Sequence, residues 1–203
     1  MPERAVTTEG VRDVNVRIAD RVRGLRAQLG LSLDGLAARS GVSRSMISLI
    51  ERGESSPTAI VLEKIATGLN IPLAALFDDA SAPAEPVSRP AARTAWRDPQ
   101  TGYVRRNISP PNWPSPFQIV EVTLPAGARV VYETGSRDVA IHQQIWVREG
   151  TIEVTVGGIA HQLSADDCLA MQLDAPVAFR NRTRKSASYI VVVAAEPTRA
   201  AKR

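Results

Sequence analysis

The chain has 203 residues, 44% of them hydrophobic, and a formal charge of +4 from 25 basic and 21 acidic side chains. That admits one or two domains with a buried core and does not by itself demand a nucleic-acid partner. One cysteine, Cys168, excludes an internal disulfide and a cysteine-based zinc cluster.

The polar start MPERAVTTEGVRDVN is unlike a secretory signal. The longest strongly apolar run, YIVVVAA at 189–195, is strand length and far below the roughly 20 residues that cross a bilayer. A cytoplasmic protein without a membrane partner is the expectation.

From 16 to 78 the apolar spacing is helical and predicts five short helices. Ile18, Val22, Leu25 and Leu29 line one face of the first, which Gly30 ends. Ser32 caps a second, with Leu33, Leu36 and Ala37 facing inward and Gly41 closing it. The third is SRSMISLIERG, with Ser43 as N-cap and Gly53 just past its end. A helical wheel puts Met46, Ile47 and Ile50 on one side of it and Arg44, Ser45, Ser48, Leu49 and Arg52 on the other. Thr58 caps a fourth with Ile65 and Leu69 inside, and Pro72 stands at N1 of a fifth that ends near Phe77.

Charge is unevenly placed. Residues 17–57 hold seven arginines against four acids, an excess of +3, whereas residues 1–80 hold ten of each sign. Basic charge is therefore concentrated around the third helix.

Residues 79–93, DASAPAEPVSRPAAR, are Ala- and Pro-rich with almost no apolar anchor, the composition of a linker. Beyond them, over 94–195, the period changes to two. YVRRNI, FQIVEVTL, IHQQIWVREG, TIEVTVGG, CLAMQL, PVAFRN and SYIVVVA are β-prone runs between turn residues, and Gly157-Gly158 marks a two-residue hairpin. This half is expected to be an antiparallel sandwich or barrel.

Ser32, Leu36-Ala37, Gly41-Val42-Ser43, Ile47-Ser48, Ile50-Glu51-Arg52-Gly53 and Pro57-Thr58 together resemble the helix-turn-helix pattern of the Cro/C1 (XRE) family of phage-repressor-like regulators, over residues 16–77. The resemblance implies a third helix lying in the major groove of double-stranded DNA and a second helix presenting its N-terminus to a phosphate. Arg44 is then the candidate for a bidentate contact to guanine, Ser45 and Ser48 are adaptable partners, and Leu49 is placed against a thymine methyl. Ser43 belongs to the same DNA-facing set, and Arg52, Ser55 and Ser56 are assigned to phosphates. Leu33 stands where the family often carries a phosphate-binding Gln, which leaves that contact to Ser32 and backbone N–H groups. Glu51 falls toward the core side of the wheel and reads as structural.

The segments IWVREGTIEVTVGG at 145–158 and LSADDCLAMQLDAPVAFRN at 163–181 resemble a small cupin, a jelly-roll β-barrel. Laid on that family's metal-binding pattern, the ligand positions fall at Arg137, Val139, Gln143 and Val177, none a strong ligand, so no metal and no cofactor is expected. With Ile145, the same four residues are expected to face the barrel interior, where Arg137 and Gln143 offer an anchor for a small anionic effector, or else Arg137 turns to solvent or pairs with Asp138. His142 should point outward, His161 sits on an exposed hairpin strand, and Cys168 reads as a buried strand residue. Trp113 and Trp146 read as packing or dimer contacts. The turn at Asp166-Asp167 replaces a Gly-Asp turn of the family, and Asp tolerates positive φ.

Three readings stand side by side. The first is a non-enzymatic, DNA-binding homodimer on an inverted-repeat operator, whose cupin dimerises and senses a ligand. The second makes the cupin a dimerisation module only, and the third is a cupin isomerase or oxygenase that carries a DNA-binding domain.

Overall fold

The computed structural model describes residues 8–78, 82–133 and 139–197. Its first part is helical: α1 spans Thr8–Gln28, α2 Leu33–Ser40, α3 Arg44–Glu51 and α4 Ala59–Gly68. The helix boundaries follow local chemistry. Ser32, Ser43 and Thr58 are N-caps whose hydroxyls accept from the backbone N–H of Gly35, Met46 and Val61. At the C-terminal end of α3, the N–H of Gly53 donates to the Ile50 carbonyl and that of Glu54 to the Leu49 carbonyl, with Gly53 at φ 69. This is the paired bonding that lets a left-handed residue stop a helix. Asn70, at φ 60, performs the same turn after α4.

Four α-helices, not five, form this unit among the described residues. Residues Leu73–Phe77 make a 3-10 helix, and Pro72 is its N-cap rather than N1. Leu29 is also not on the core face: it lies past the end of α1 and is exposed. The core is built from Ile18, Val22, Leu36, Ile47, Ile50, Leu62, Ile65 and Leu76, each essentially inaccessible to solvent.

The second part is all antiparallel β. Its strands are β1 Ala95–Arg97, β2 Val104–Asn107, β3 Phe117–Leu124, β4 Arg129–Tyr132, β5 Val139–Glu149, β6 Thr151–Val156, β7 Ile159–Ser164, β8 Cys168–Gln172, β9 Val177–Arg180 and β10 Ala187–Pro197. They form a six-stranded sheet, β1-β2-β3-β10-β5-β8, and a four-stranded sheet, β4-β9-β6-β7. The arrangement is a cupin-like jelly roll of two sheets and not a closed barrel. Alternation along β5 shows the packing: Ile141, Ile145 and Val147 are buried, whereas His142, Gln144, Trp146 and Arg148 are exposed. Phe179 of the smaller sheet stacks on Tyr189 of the larger at 5.7 Å, locking the two inner faces.

The Gly157-Gly158 hairpin closes on the pair Val156 and Ile159, and both glycines have positive φ, which a two-residue turn requires. Asp166 takes φ 71 in the turn before β8. Two surface expectations are corrected: Cys168 is exposed, because it starts the edge strand β8 on the outer face opposite Trp146, and His161 is half-buried, on the same side of β7 as Leu163.

The helical and β parts are docked on one another. Trp96 packs between Phe77 and Tyr103, with ring centroids 5.3 and 5.9 Å away. Buried Asp98 accepts from the backbone N–H of Ala59, the first residue of α4, at 2.9 Å. A β-domain carboxylate thus serves a helix N-terminus, where its charge is favoured. Lys64 and Glu133 form an exposed ion pair, and Asn107 donates to the Ala74 carbonyl and to Asp78.

Candidate nucleic-acid interface and interior cavity

Helix α3 is fixed from behind. Ile47 and Ile50 are buried, and Glu51 is held by Arg26 of α1 through two hydrogen bonds of 2.6 and 2.7 Å. Arg26 also donates to the Leu31 carbonyl, and Arg23 donates to the Glu51 carbonyl, so the pair ties α1 to the end of α3. The Glu51 contact raises the Arg26 pKa above the ordinary arginine value. Bidentate geometry fixes direction as well as distance.

The other face is exposed. Arg44 and Ser45 stand at the first turn, open to solvent, and Arg44 makes a loose ion pair with Asp34 of α2 at 3.3 Å in which both side chains are largely exposed. Such a pair contributes little and exchanges readily. Ser48 and Leu49 are half-buried on the flank. Arg52 is already engaged: it donates to both carboxylate oxygens of Glu54 at 2.9 and 2.7 Å and to the Ser48 hydroxyl. This contact holds the Glu54 carboxyl below its usual range. Ser55 donates to the Met46 sulfur, and Ser56 accepts from Asn15. Ser32 is exposed and spends one lone pair on its own cap. Of the nine residues expected at DNA, Arg44 and Ser45 are exposed at the start of α3, the Ser45 hydroxyl sharing a 3.2 Å hydrogen bond with that of Ser43, while Ser32 and Ser43 cap α2 and α3.

The cupin-like half holds a cavity of about 50 Å³ between its sheets, closed on one side by the helical part. Gln143 and Val177 line it. Ile145 is fully buried in the core beside it, and Val139 is half-buried at the start of β5. Arg137, and Asp138 next to it, lie outside the described residues. Among the described residues two charged groups reach the cavity, Arg105 and Glu63, and the sequence reading named neither.

Arg105 is 6% exposed, its Nε has no hydrogen-bond partner, and its guanidinium lies 5.3 Å from the Phe77 ring centroid. Tyr103, Tyr132 and Tyr189 surround the same space. Burial pushes the Tyr132 and Tyr189 hydroxyls well above the usual tyrosine range, so they stay neutral donors. Among the described residues, no three His, Cys, Asp or Glu side chains converge as a metal site.

A short capped helix presented from a four-helix unit, with a jelly roll behind it, defines the class: a helix-turn-helix protein with a cupin-like β domain. The family model for the HTH_3 helix-turn-helix matches residues 22–76. Along 164 residues the chain is 28% identical to the HTH-type transcriptional regulator SutR of Escherichia coli, covering 81% of this chain and 86% of that protein. It is 35% identical to control protein C.MunI of a Mycoplasma species over 68 residues, 33% of this chain and 92% of that one. The crystal structure of an HTH_3 family transcriptional regulator from Vibrio cholerae superposes with a TM-score of 0.72 at 29% identity, over 90% of this chain and 97% of that chain. The chain belongs to the XRE-type helix-turn-helix family.

Proposed function

We propose that the protein is a transcriptional regulator that binds double-stranded DNA with α3 in the major groove and carries out no chemistry of its own. The observation that carries this is the division of α3, with Ile47, Ile50 and the Arg26–Glu51 pair behind and exposed Arg44 and Ser45 in front. Relatives described as HTH-type transcriptional regulators support it. Arg44 reads a guanine, Ser45, Ser48 and Leu49 contribute neighbouring base contacts, and the Ser32 and Ser43 helix ends with Ser55 and Ser56 set the register on phosphates. Arg52 joins them only by leaving Glu54, so its contribution is the smaller. Selecting bound fragments from genomic DNA tests this reading: a shared sequence element among them is the expected result, and recovery of unrelated fragments would refute it.

One α3 reads only a few base pairs, so a homodimer on an inverted repeat completes the proposal, with half-sites about one helical turn, roughly 34 Å, apart or a multiple of it. The surface favoured for the second copy is the outer face of the six-stranded sheet. There exposed Trp146 lies beside Ile190, and Gln144 beside Val192. Light scattering on the full chain should give twice the monomer mass, and Trp146→Glu should return it to one. The β half is further proposed to sense an effector in its cavity, because Glu63, Leu73 and Ala74 of the helical part form one wall of that space. An effector preferring one arrangement of the dimer would change DNA affinity by a factor typically of about 5–150, and DNA would change effector affinity by the same factor.

A further inference from the structure

The cavity between the sheets is too small for a nucleotide, a sugar or an aromatic ring. One water occupies roughly 10–15 Å³ on the same measure, so about 50 Å³ holds roughly four waters, or a molecule of about four to six heavy atoms. Its walls state what chemistry fits. Val122, Val191 and Val193 present only alkyl groups, from the inner face of the larger sheet. At one end sits Arg105, almost wholly buried, its Nη1 a long 3.5 Å from the Tyr103 hydroxyl and its Nε unpartnered. A buried cation with an unused donor is expensive unless a ligand's acceptor completes it. The ring of Phe77 and the charge of Glu63 moderate that cost without supplying the missing hydrogen bond to Nε.

Two features fix the charge of the guest. Among the described residues Arg105 is the cation that lines the space, and the Glu63 carboxylate, which reaches the cavity from α4, opposes a second negative charge. A phosphate dianion is thereby disfavoured relative to a carboxylate, and an alcohol of equal size leaves the guanidinium unmatched. The hydroxyls of Tyr103, Tyr132 and Tyr189, which line the same cavity, add donors for carboxylate oxygens.

We propose that this cavity binds a small aliphatic monocarboxylate of two to four carbons, its carboxylate on Arg105 and the tyrosine hydroxyls and its alkyl group among the valines. The inference deepens the reading of the β half as an effector module and supplies the chemical class of the effector.

Calorimetry on the full chain tests it, with sodium acetate, propionate and butyrate as probes and inorganic phosphate and 1-propanol as controls. The expected result is saturable binding of one carboxylate per chain, with phosphate and propanol at least tenfold weaker. Arg105→Met should lower carboxylate affinity about tenfold to a hundredfold, the scale of one lost charged hydrogen-bonding partner. Because a buried arginine can also matter for folding, Tyr189→Phe and the cavity-filling Val193→Phe are read alongside it. The first should weaken propionate several-fold at an unchanged melting temperature, and the second should abolish its binding. Carboxylate binding that survives both Arg105→Met and Val193→Phe would overturn the site, as would equal affinity for propanol or phosphate, or no saturable binding of any of the three acids. The effector reading fails separately, if propionate binds as expected and leaves DNA affinity unchanged.

Discussion

Glu51 and Arg44 sit seven positions apart on one eight-residue helix, and their surroundings give them opposite tasks. Glu51 is 8% exposed at its side chain and pinned by Arg26, whereas Arg44 is 64% exposed with only a loose partner. Removing Glu51 leaves Arg26 with the Leu31 carbonyl alone. Glu51→Ala is therefore expected to cost about 3 kcal/mol, the lower end for breaking a largely buried pair, because Arg26 keeps some access to water. Urea unfolding checks this, with a lower midpoint at an unchanged slope. At this scale the exposed side of α3 was legible in the sequence, because caps and helical spacing fix which side of the helix faces out. Arg105 was not. In YVRRNI, alternation offers either Val104 or Arg105 to the interior, and hydropathy favours Val104. The pairing with β3 instead turns Tyr103 and Arg105 inward, where Phe77 from the helical part covers the guanidinium.

The elements hold together by close approach as much as by apolar area. A side chain added at Gly68, near the end of α4, would meet Ser40 Cβ at 2.9 Å, the Ser40 backbone nitrogen at 3.0 Å and Leu36 at 3.1 Å. Helix propensity alone would make Gly68→Ala stabilising by up to about 1 kcal/mol. The contact reverses the sign, since two of the atoms belong to the backbone and Cβ of α2 and cannot swing away. A net loss of about 1–3 kcal/mol is expected, read as a fall in melting temperature. The helices and the β-strands of the second half were legible from periods of 3.6 and 2. The 3-10 character of Leu73–Phe77 was not, because Pro72, Leu73, Leu76 and Phe77 fit an α-helical spacing equally well. Open sheets in place of a closed barrel were equally hidden, since strand alternation is the same in both.

On the scale of the whole molecule, the Ala/Pro composition of 79–93 reads as a spacer, yet the two halves share Asp98, Trp96 and Asp78 as fastenings. No local pattern announces such contacts, because each residue acts on an element far away in the chain. Asp78 illustrates the consequence. It accepts from Asn107 and Gln118, and burial raises its carboxyl above the ordinary 3.8 despite those bonds and the nearby arginines. The folded state therefore holds the proton more tightly than the unfolded chain. That contribution to stability is complete below the unfolded pKa near 3.8 and is lost as pH rises through the higher folded value. Asp78→Asn keeps an acceptor without the charge, so its stability relative to the parent should increase as pH climbs from about 4. Urea titrations across that range measure the difference, and a parallel pH dependence of the two proteins would count against it.

The central claim is that α3 reads sequence through Arg44, and the most direct test is fluorescence anisotropy of the full chain and of Arg44→Ala on two labelled duplexes, a selected genomic fragment and its shuffled counterpart. A bidentate base contact is worth about 1–3 kcal/mol, so the substitution should weaken the selected duplex by roughly 5- to 150-fold and leave the shuffled duplex within about twofold. Equal weakening on both duplexes would make Arg44 a phosphate contact and contradict the claim.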